Sequence, residues 1–167
     1  TEAGLVIRVG EDRFVLSVVP DRATGIWQVL RQSATPVGAP IWDWLQLSAG
    51  IPMIVAATQE QFVPQMVNLE AIGGVSFQKG CYPGQEIVAR KHFLGRSKRS
   101  LLRFRAGSSR VPAPGDALNA SDGTAAATVV AAIRLGHEVS GLAVVRDPSR
   151  ASMATPDGAP VVLTELP

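Results

Sequence analysis

The sequence has little of several residue types, and each shortage excludes a class of protein. A single cysteine among 167 residues excludes both an intrachain disulfide framework and a cysteine-rich metal cage. No apolar run reaches the ~18 residues that a membrane-spanning helix needs, and the first residues lack the layout of a signal peptide. The net charge of +2 is too weak overall to indicate nucleic-acid binding. We therefore expect a protein of the reducing cytoplasm, with no membrane partner.

What is present predicts a folded chain that contains both helices and strands. Apolar residues make up 46% of the sequence and charged residues 18%, a composition that can bury a core. Two β-rich runs joined at residues 10–12 predict a hairpin, and Asp21 is predicted to cap a helix that follows it. The segment IWDWLQ is predicted to form a short helix that leads into a buried strand. A further helix is predicted over residues 84–93, closed by Gly95.

The pattern changes near residue 97. Beyond this point short strands alternate with turn residues at regular intervals, which predicts a small antiparallel barrel. We therefore predict an α+β protein with a domain boundary near residue 97, so that residues 1–96 and residues 97–167 form separate domains.

Positive charge is concentrated in one segment. Residues 90–105 hold basic side chains and no acidic one: Arg90, Lys91, Arg96, Lys98, Arg99, Arg103 and Arg105. Such a run fits either a solvated strand face or a surface that binds anions, and both interpretations stay open. Direct RNA binding would need stacking aromatic residues among the cations, and only Phe93 and Phe104 are available.

The single thiol lies in the segment QKGCYPGQEIVAR, residues 78–90. The letters PGQE predict a helix start, so Cys81 would lie just before a helix N-terminus and two residues from Lys79, and both features favour a thiolate. Gly80 and Gly84 allow a close approach of backbone to a ligand. The alternative is a small buried cysteine beside a surface lysine.

The segment KGCYPGQE resembles the K-G-C-Y-x-G-Q-E signature of the YgfZ family, folate-binding relatives of the glycine-cleavage T-protein. The letters AGIP at residues 49–52, the segment 61–90 and the group Gly95, Lys98 and Arg99 fit the same pattern. The resemblance implies three parts around a central folate site: an N-terminal domain, a ferredoxin-like middle domain and a C-terminal barrel. This chain would begin inside the middle domain, and the N-terminal domain would be missing.

The resemblance also implies a function in the assembly or repair of iron–sulfur enzymes, among them radical enzymes that modify tRNA. Tetrahydrofolate or a derivative is the implied cofactor, with no permanently bound metal. The implied partners are folate, the client enzymes and the missing domain. Lys79 and Cys81 are the implied reactive residues, and Cys81 is either a transient iron ligand, a redox thiol or a lining residue of the folate pocket. The implied folate-binding residues are Trp42, Tyr82, Gln85, Glu86 and Arg90.

Two positions weigh on this interpretation. Trp42 lies where the family places an aromatic ring against the pterin, but Trp44 competes for that position and either indole could be core. Ser48 stands where the T-protein relatives have an acidic residue. An accessory factor is therefore expected rather than a turnover enzyme. The alternatives are a folate-dependent aminomethyl or one-carbon transferase and a tRNA-binding module.

Overall fold

The computed structural model describes residues 4–95, 99–147 and 152–166. Within it the chain forms two units, Thr1–Gly38 and Ala39–Pro167. The predicted boundary at residue 97 lies outside the described residues, as do Arg96 and Lys98 of the basic segment, so the predicted division into domains stays a prediction. No helix in the described ranges is both long enough and apolar enough to cross a bilayer.

The first unit begins with a hairpin. Strands β1 (Gly4–Arg8) and β2 (Phe14–Val18) pair antiparallel, which confirms the hairpin predicted at residues 10–12. None of the described residues of this unit is buried, and large apolar side chains such as Val6 remain exposed on the strands. A two-stranded sheet alone is only marginally stable in water, so this unit has little core of its own.

Helix α1 (Pro20–Leu30) completes the first unit. Val19, in an extended conformation, is the residue that precedes the helix, and Pro20 occupies its first position. Proline is favoured there because its missing N–H would have had no partner in the helix. Asp21 therefore lies inside the first turn, and its predicted capping role is wrong.

The second unit begins with helix α2 (Ala39–Ser48), which confirms the short helix predicted in this segment. The buried strand predicted after it is wrong, because residues 51–55 form no strand and Met53, Ile54 and Val55 are exposed. Pro52 has no N–H for a strand ladder. The Val55 N–H is bonded to Thr58 Oγ1 in a 3₁₀ turn over Ala56–Thr58.

A second 3₁₀ turn, Pro64–Val67, precedes helix α3 (Gln85–Leu94). This helix confirms the prediction for residues 84–93 to within one residue. Gly84 precedes the helix with a φ of 83°, which is in the region that favours glycine. Gly95 follows it as predicted, but with an extended backbone rather than the left-handed conformation common after helices.

The rest of the second unit confirms the small antiparallel barrel. Its strands are β3 (Ser100–Ala106), β4 (Ala117–Ala120), β5 (Ala125–Leu135), β6 (Glu138–Val145), β7 (Met153–Ala154) and β8 (Pro160–Thr164). They lie in the order β3-β6-β5-β4-β7-β8, and β8 pairs back onto β3 to close the barrel. The α+β class is thus confirmed, whereas the ferredoxin-like middle domain stays a prediction.

The barrel strands bury side chains on both of their faces. One cluster includes Phe104, Leu118 and Val129, all fully buried. Adjacent residues on a strand point to opposite faces, so Val130 belongs instead to a second cluster. That second cluster includes Leu47 of α2 and, from the 3₁₀ turn and the other barrel strands, Val67, Leu101, Leu142 and Val144. It therefore fixes α2 and the 3₁₀ turn against the barrel.

A hydrogen-bond network around the exposed carboxylate of Asp157 joins two turns of the barrel that are distant in sequence. Asp157, in the turn between β7 and β8, accepts hydrogen bonds from Thr155 Oγ1 (2.6 Å) and from Ser108 Oγ (2.7 Å). Ser109 donates to it from both its hydroxyl (2.7 Å) and its backbone N–H (2.9 Å). The hydroxyls of Thr155, Ser108 and Ser109 hold the pKa of Asp157 well below its usual range.

Gly141 gives a test of the barrel packing. It faces Phe104 across the β3–β6 pair, and a Cβ atom there would overlap the Phe104 ring and the Ala131 carbonyl oxygen. We expect Gly141→Ala to lower the free energy of unfolding in urea by about 1–3 kcal/mol. Gly107→Ala is the control, since a Cβ at Gly107 would meet nothing within 4 Å. Unchanged stability of Gly141→Ala would contradict the described packing.

Asp157 predicts a pH dependence of stability. The pKa of Asp157 is lower in the folded state than in the unfolded state, where it is about 4. Its carboxylate therefore makes its full contribution to the free energy of unfolding above pH 4, and this contribution is lost as the pH falls below that value. We expect Asp157→Asn to lower the melting temperature at neutral pH only slightly, because the carboxylate is exposed and solvent screens its interactions. The difference from wild type should shrink as the pH falls below about 4, because the wild-type carboxylate then loses its advantage. Calorimetric melting across this pH range checks it, and a difference independent of pH would contradict the network.

Candidate functional site

The loop that carries the cysteine is fixed to the start of α3. The Tyr82 N–H donates to Gln85 Oε1 (3.2 Å), and the Gln85 N–H donates back to the Tyr82 carbonyl oxygen (3.2 Å). Gly84 lies between them and makes the turn with its positive φ. Tyr82, Gly84 and Gln85 of the KGCYPGQE segment therefore fix the conformation of the loop through these hydrogen bonds and the positive φ of Gly84. Gly80 is exposed, and its φ is not in the left-handed region.

Cys81 is exposed and makes no disulfide. The alternative of a small buried cysteine is therefore wrong. Within the described ranges no group of three or more His, Cys, Asp or Glu side chains could hold a metal ion. If Cys81 ligates iron, the remaining ligands must come from another molecule, because iron–sulfur clusters are held by several thiolates.

Lys79 lies beside the cysteine loop and faces an aromatic ring. Its Nζ atom is 4.8 Å from the centroid of the Tyr82 ring, a cation–π contact. Lys79, Tyr82 and Gln85 line one cavity of about 230 Å³ together with Ser76, Phe77, Ala89 and Phe93. The structure thus brings three of the predicted site residues together in one place.

The other end of this loop is held by an aromatic cluster that the sequence did not reveal. Phe77 stacks on His92 of α3, with ring centroids 4.0 Å apart, and Phe93 meets both rings edge-on. His92 Nδ1 also donates to Glu70 Oε1 (2.5 Å). The adjacent residues His92 and Phe93 on a predicted helix indicate a possible aromatic contact, but nothing in the sequence identifies Phe77 as their partner.

Trp42 lies in a second cavity of about 300 Å³. Its walls come from α2, the segment after it and β5: Trp42, Asp43, Gln46, Leu47, Ile51, Pro52, Met53, Ala131, Ala132 and Ile133. Trp44 is 37% exposed and is not part of this lining. The lining has no residue in common with the cavity at Lys79, so the structure does not join Trp42 to the cysteine loop in one pocket.

The remaining predicted site residues lie outside both cavity linings. Glu86 and Arg90 are exposed and four residues apart on α3, the spacing of neighbours on one helix face. Ser48 ends α2 and does not line the Trp42 cavity, whose carboxylate is Asp43. Sequence reasoning missed Asp43 and Gln46, although Asp43, Gln46 and Leu47 have the spacing of one helix face.

Comparison with known proteins places the chain in a family. No protein-family model matches it. The tRNA-modifying protein YgfZ of Klebsiella pneumoniae is 42% identical over 127 residues, which are 74% of this chain and 39% of that protein. The protein of the same name from Enterobacter sp. is 40% identical over 128 residues, 75% of this chain and 39% of the relative.

A protein of that name from Photobacterium profundum is 38% identical over 124 residues, 72% of this chain and 38% of the relative. The chain thus spans about two fifths of the length of the curated relatives that it matches. These relatives carry the name of the family that the KGCYPGQE segment, residues 79–86, resembles. At 40–42% identity over about three quarters of its length, the chain belongs to the YgfZ family.

Proposed function

We propose that the chain is part of a folate-binding accessory protein for the assembly or repair of iron–sulfur enzymes, including radical enzymes that modify tRNA. The observation that supports this most is the exposed Cys81, two residues from Lys79, in a loop whose two ends are held in place. The name of the relatives, tRNA-modifying protein, fits a function connected with tRNA modification.

The thiol is accessible without any rearrangement of the loop. An exposed thiolate can ligate the iron of a client's cluster, which is cargo here rather than a resident cofactor. It can equally condense with a sulfenic acid at the client's cluster site, which gives a mixed disulfide and water, and two low-molecular-weight thiols then reduce that disulfide to the two protein thiols and become a disulfide themselves. In both cases the client supplies the partner group, because Cys81 is the single cysteine of this sequence.

The Trp42 cavity suits the ring of a tetrahydrofolate. Ligand pockets are mostly apolar with a few polar groups, and their volumes begin at about 300 Å³. The indole of Trp42 would stack on the pterin, and Asp43 and Gln46 would offer acceptors to the N–H groups at its edge. When bound, the folate would supply a one-carbon carrier, and the chain's own residues would bind and orient it.

The hairpin of the first unit would be part of the ferredoxin-like middle domain, residues 1–96, that family membership implies. This hairpin leaves apolar side chains exposed on both strands, as expected for a sheet that further strands and helices would complete. The chain covers about two fifths of its curated relatives, which supports an additional N-terminal domain in the whole protein. A cytoplasmic location is part of the same proposal.

A second candidate function, a one-carbon transferase of the T-protein type, is favoured by Asp43. Ser48 lacks the carboxylate that those relatives use, but Asp43 supplies one in the Trp42 cavity. Release of methylene-tetrahydrofolate from an aminomethyl donor distinguishes the two functions. The accessory factor would give no such product.

Replacement of the thiol tests the main proposal. In cells that lack the whole protein, we expect wild type to restore a four-iron tRNA-thiolating enzyme and Cys81→Ala to leave it near background. The exposed position of Cys81 means that the substitution should not affect folding, which the level of soluble protein checks. Equal rescue by both proteins would contradict a function of the thiol.

The folate site has a matched pair of substitutions on α2. We expect Trp42→Ala to weaken tetrahydrofolate binding about tenfold or more, because the pterin loses its stacking partner. Trp44→Ala, which removes an indole outside the cavity lining, should bind as wild type does. Titration calorimetry measures both variants. If Trp44→Ala alone weakened binding, the pterin would not lie in the Trp42 cavity.

A further inference from the structure

The aromatic cluster on α3 leaves much of its ring surface open to solvent. Phe93 is 70% exposed and Phe77 is 36% exposed. The edge-on contacts of Phe93 with Phe77 and His92 hold its ring in a defined orientation while most of its surface stays accessible. An ordered, exposed aromatic group of this kind offers a flat face, or platform, on which a planar ligand can stack.

A cavity adjoins this platform and carries polar groups. Its volume of about 230 Å³ equals the space of several water molecules at about 30 Å³ each, which is enough for one planar heterocycle. Gln85 lines it, and because its Oε1 atom accepts from the Tyr82 N–H, its NH₂ group is left to donate to a ligand. Ser76 also lines this cavity.

Cations border the same surface. Lys79 lines the cavity, and Arg90 lies three residues before Phe93 on α3, which is the spacing of neighbours on one helix face. Neither cation forms an ion pair with any residue in the described ranges. The carboxylate of Glu70 is bonded to His92, so its charge is already engaged. Positive charge beside an aromatic platform is the combination that binds single-stranded nucleic acid.

Only part of the basic segment contributes to this surface. Phe104 is fully buried, so its predicted availability for stacking is wrong. Arg103 Nε donates to Thr164 Oγ1 (3.2 Å), and Arg105 lies 3.9 Å from Glu138. These two arginines are therefore engaged within the barrel. Of the two phenylalanines in the basic segment, Phe93 is therefore the one available for stacking. Three further aromatic residues that the sequence did not indicate as stacking residues lie near it: Phe77, His92 and Tyr82.

We propose that this surface, composed of Phe77, Lys79, Gln85, Arg90 and Phe93, binds single-stranded nucleic acid. One base would stack on Phe93, Gln85 would donate to the base edge, and Lys79 and Arg90 would contact phosphates. A duplex does not fit, because its bases are already stacked on one another and cannot reach the platform. The open platform suits a strand that passes over it. The site shares no residue with the Trp42 cavity, and it assigns to nucleic acid two residues, Gln85 and Arg90, that the family resemblance implies for folate.

The test is a fluorescence-anisotropy titration of the chain with a labelled single-stranded RNA of about 12 nucleotides, within the usual site sizes. We expect Phe93→Ala to weaken binding about tenfold, the typical effect of removing one stacked base contact. Lys79→Met should reduce the slope of log affinity against log salt by about one. Phe14→Ala is the matched control, because Phe14 is an exposed phenylalanine on β2, and it should bind as wild type does.

Three results would overturn the proposal. Phe93→Ala could bind the strand as tightly as wild type, which would mean that charge alone attracts RNA. A duplex of the same sequence could bind as tightly as the strand. Adenosine monophosphate could bind as tightly as the strand, which would mean that a free nucleotide is the ligand. Melting curves establish that Phe93→Ala is folded, and Trp42→Ala, which should leave RNA binding unchanged, separates this test from that of the folate site.

Discussion

The second unit depends on the apolar cluster between the barrel's outer surface and the segments that precede the barrel. Leu47 and Val67 pack there against Leu142 and Val144 of β6. Burying a large apolar side chain stabilises a fold by about 1.5–3 kcal/mol, so each of these two side chains contributes on this order to the packing of α2 and the 3₁₀ turn against the barrel. The position of α2 against β5 then defines the Trp42 cavity.

The apolar cluster that holds the 3₁₀ turn also positions the cysteine loop, through one hydrogen bond from this turn to α3. Gln65 precedes Val67 in the 3₁₀ turn, and its Nε2 atom donates to the Val88 carbonyl oxygen of α3 (2.9 Å). Helix α3 is thereby tied to a segment that the barrel already holds. Gln85 and His92, near the two ends of α3, each bind one end of the loop. Cys81 is left between two fixed points, and the residue is exposed, which is compatible with the proposed contact between the thiol and a client protein.

Local patterns predicted the elements of this protein but not its cavities. The hairpin, α3 and the barrel follow from turn residues and from helical or alternating spacing, which are properties of short segments. The prediction of a buried strand after α2 was wrong. Pro52 has no N–H for hydrogen bonds to a neighbouring strand, and the Val55 N–H is bonded to the Thr58 side chain instead. An apolar run in the sequence does not reveal this side-chain hydrogen bond. The Trp42 cavity and the Asp157 network join segments far apart in sequence, Trp42 with Ala131 and Ser108 with Asp157. No single-sequence pattern records such pairs.

The basic segment shows why a run of charge in sequence does not define a surface. Among the basic residues that the structure describes, Arg90 and Lys91 lie on α3, whereas Arg103 and Arg105 lie on β3, and each element distributes its side chains by its own geometry. On β3 the arginines meet partners on neighbouring strands. On α3, Arg90 is exposed beside Phe93, and the loop contributes Lys79 and Phe77 to the same region. The surface that combines charge with aromatic rings is therefore assembled across the loop and the helix, and the long cationic run only partly overlaps it.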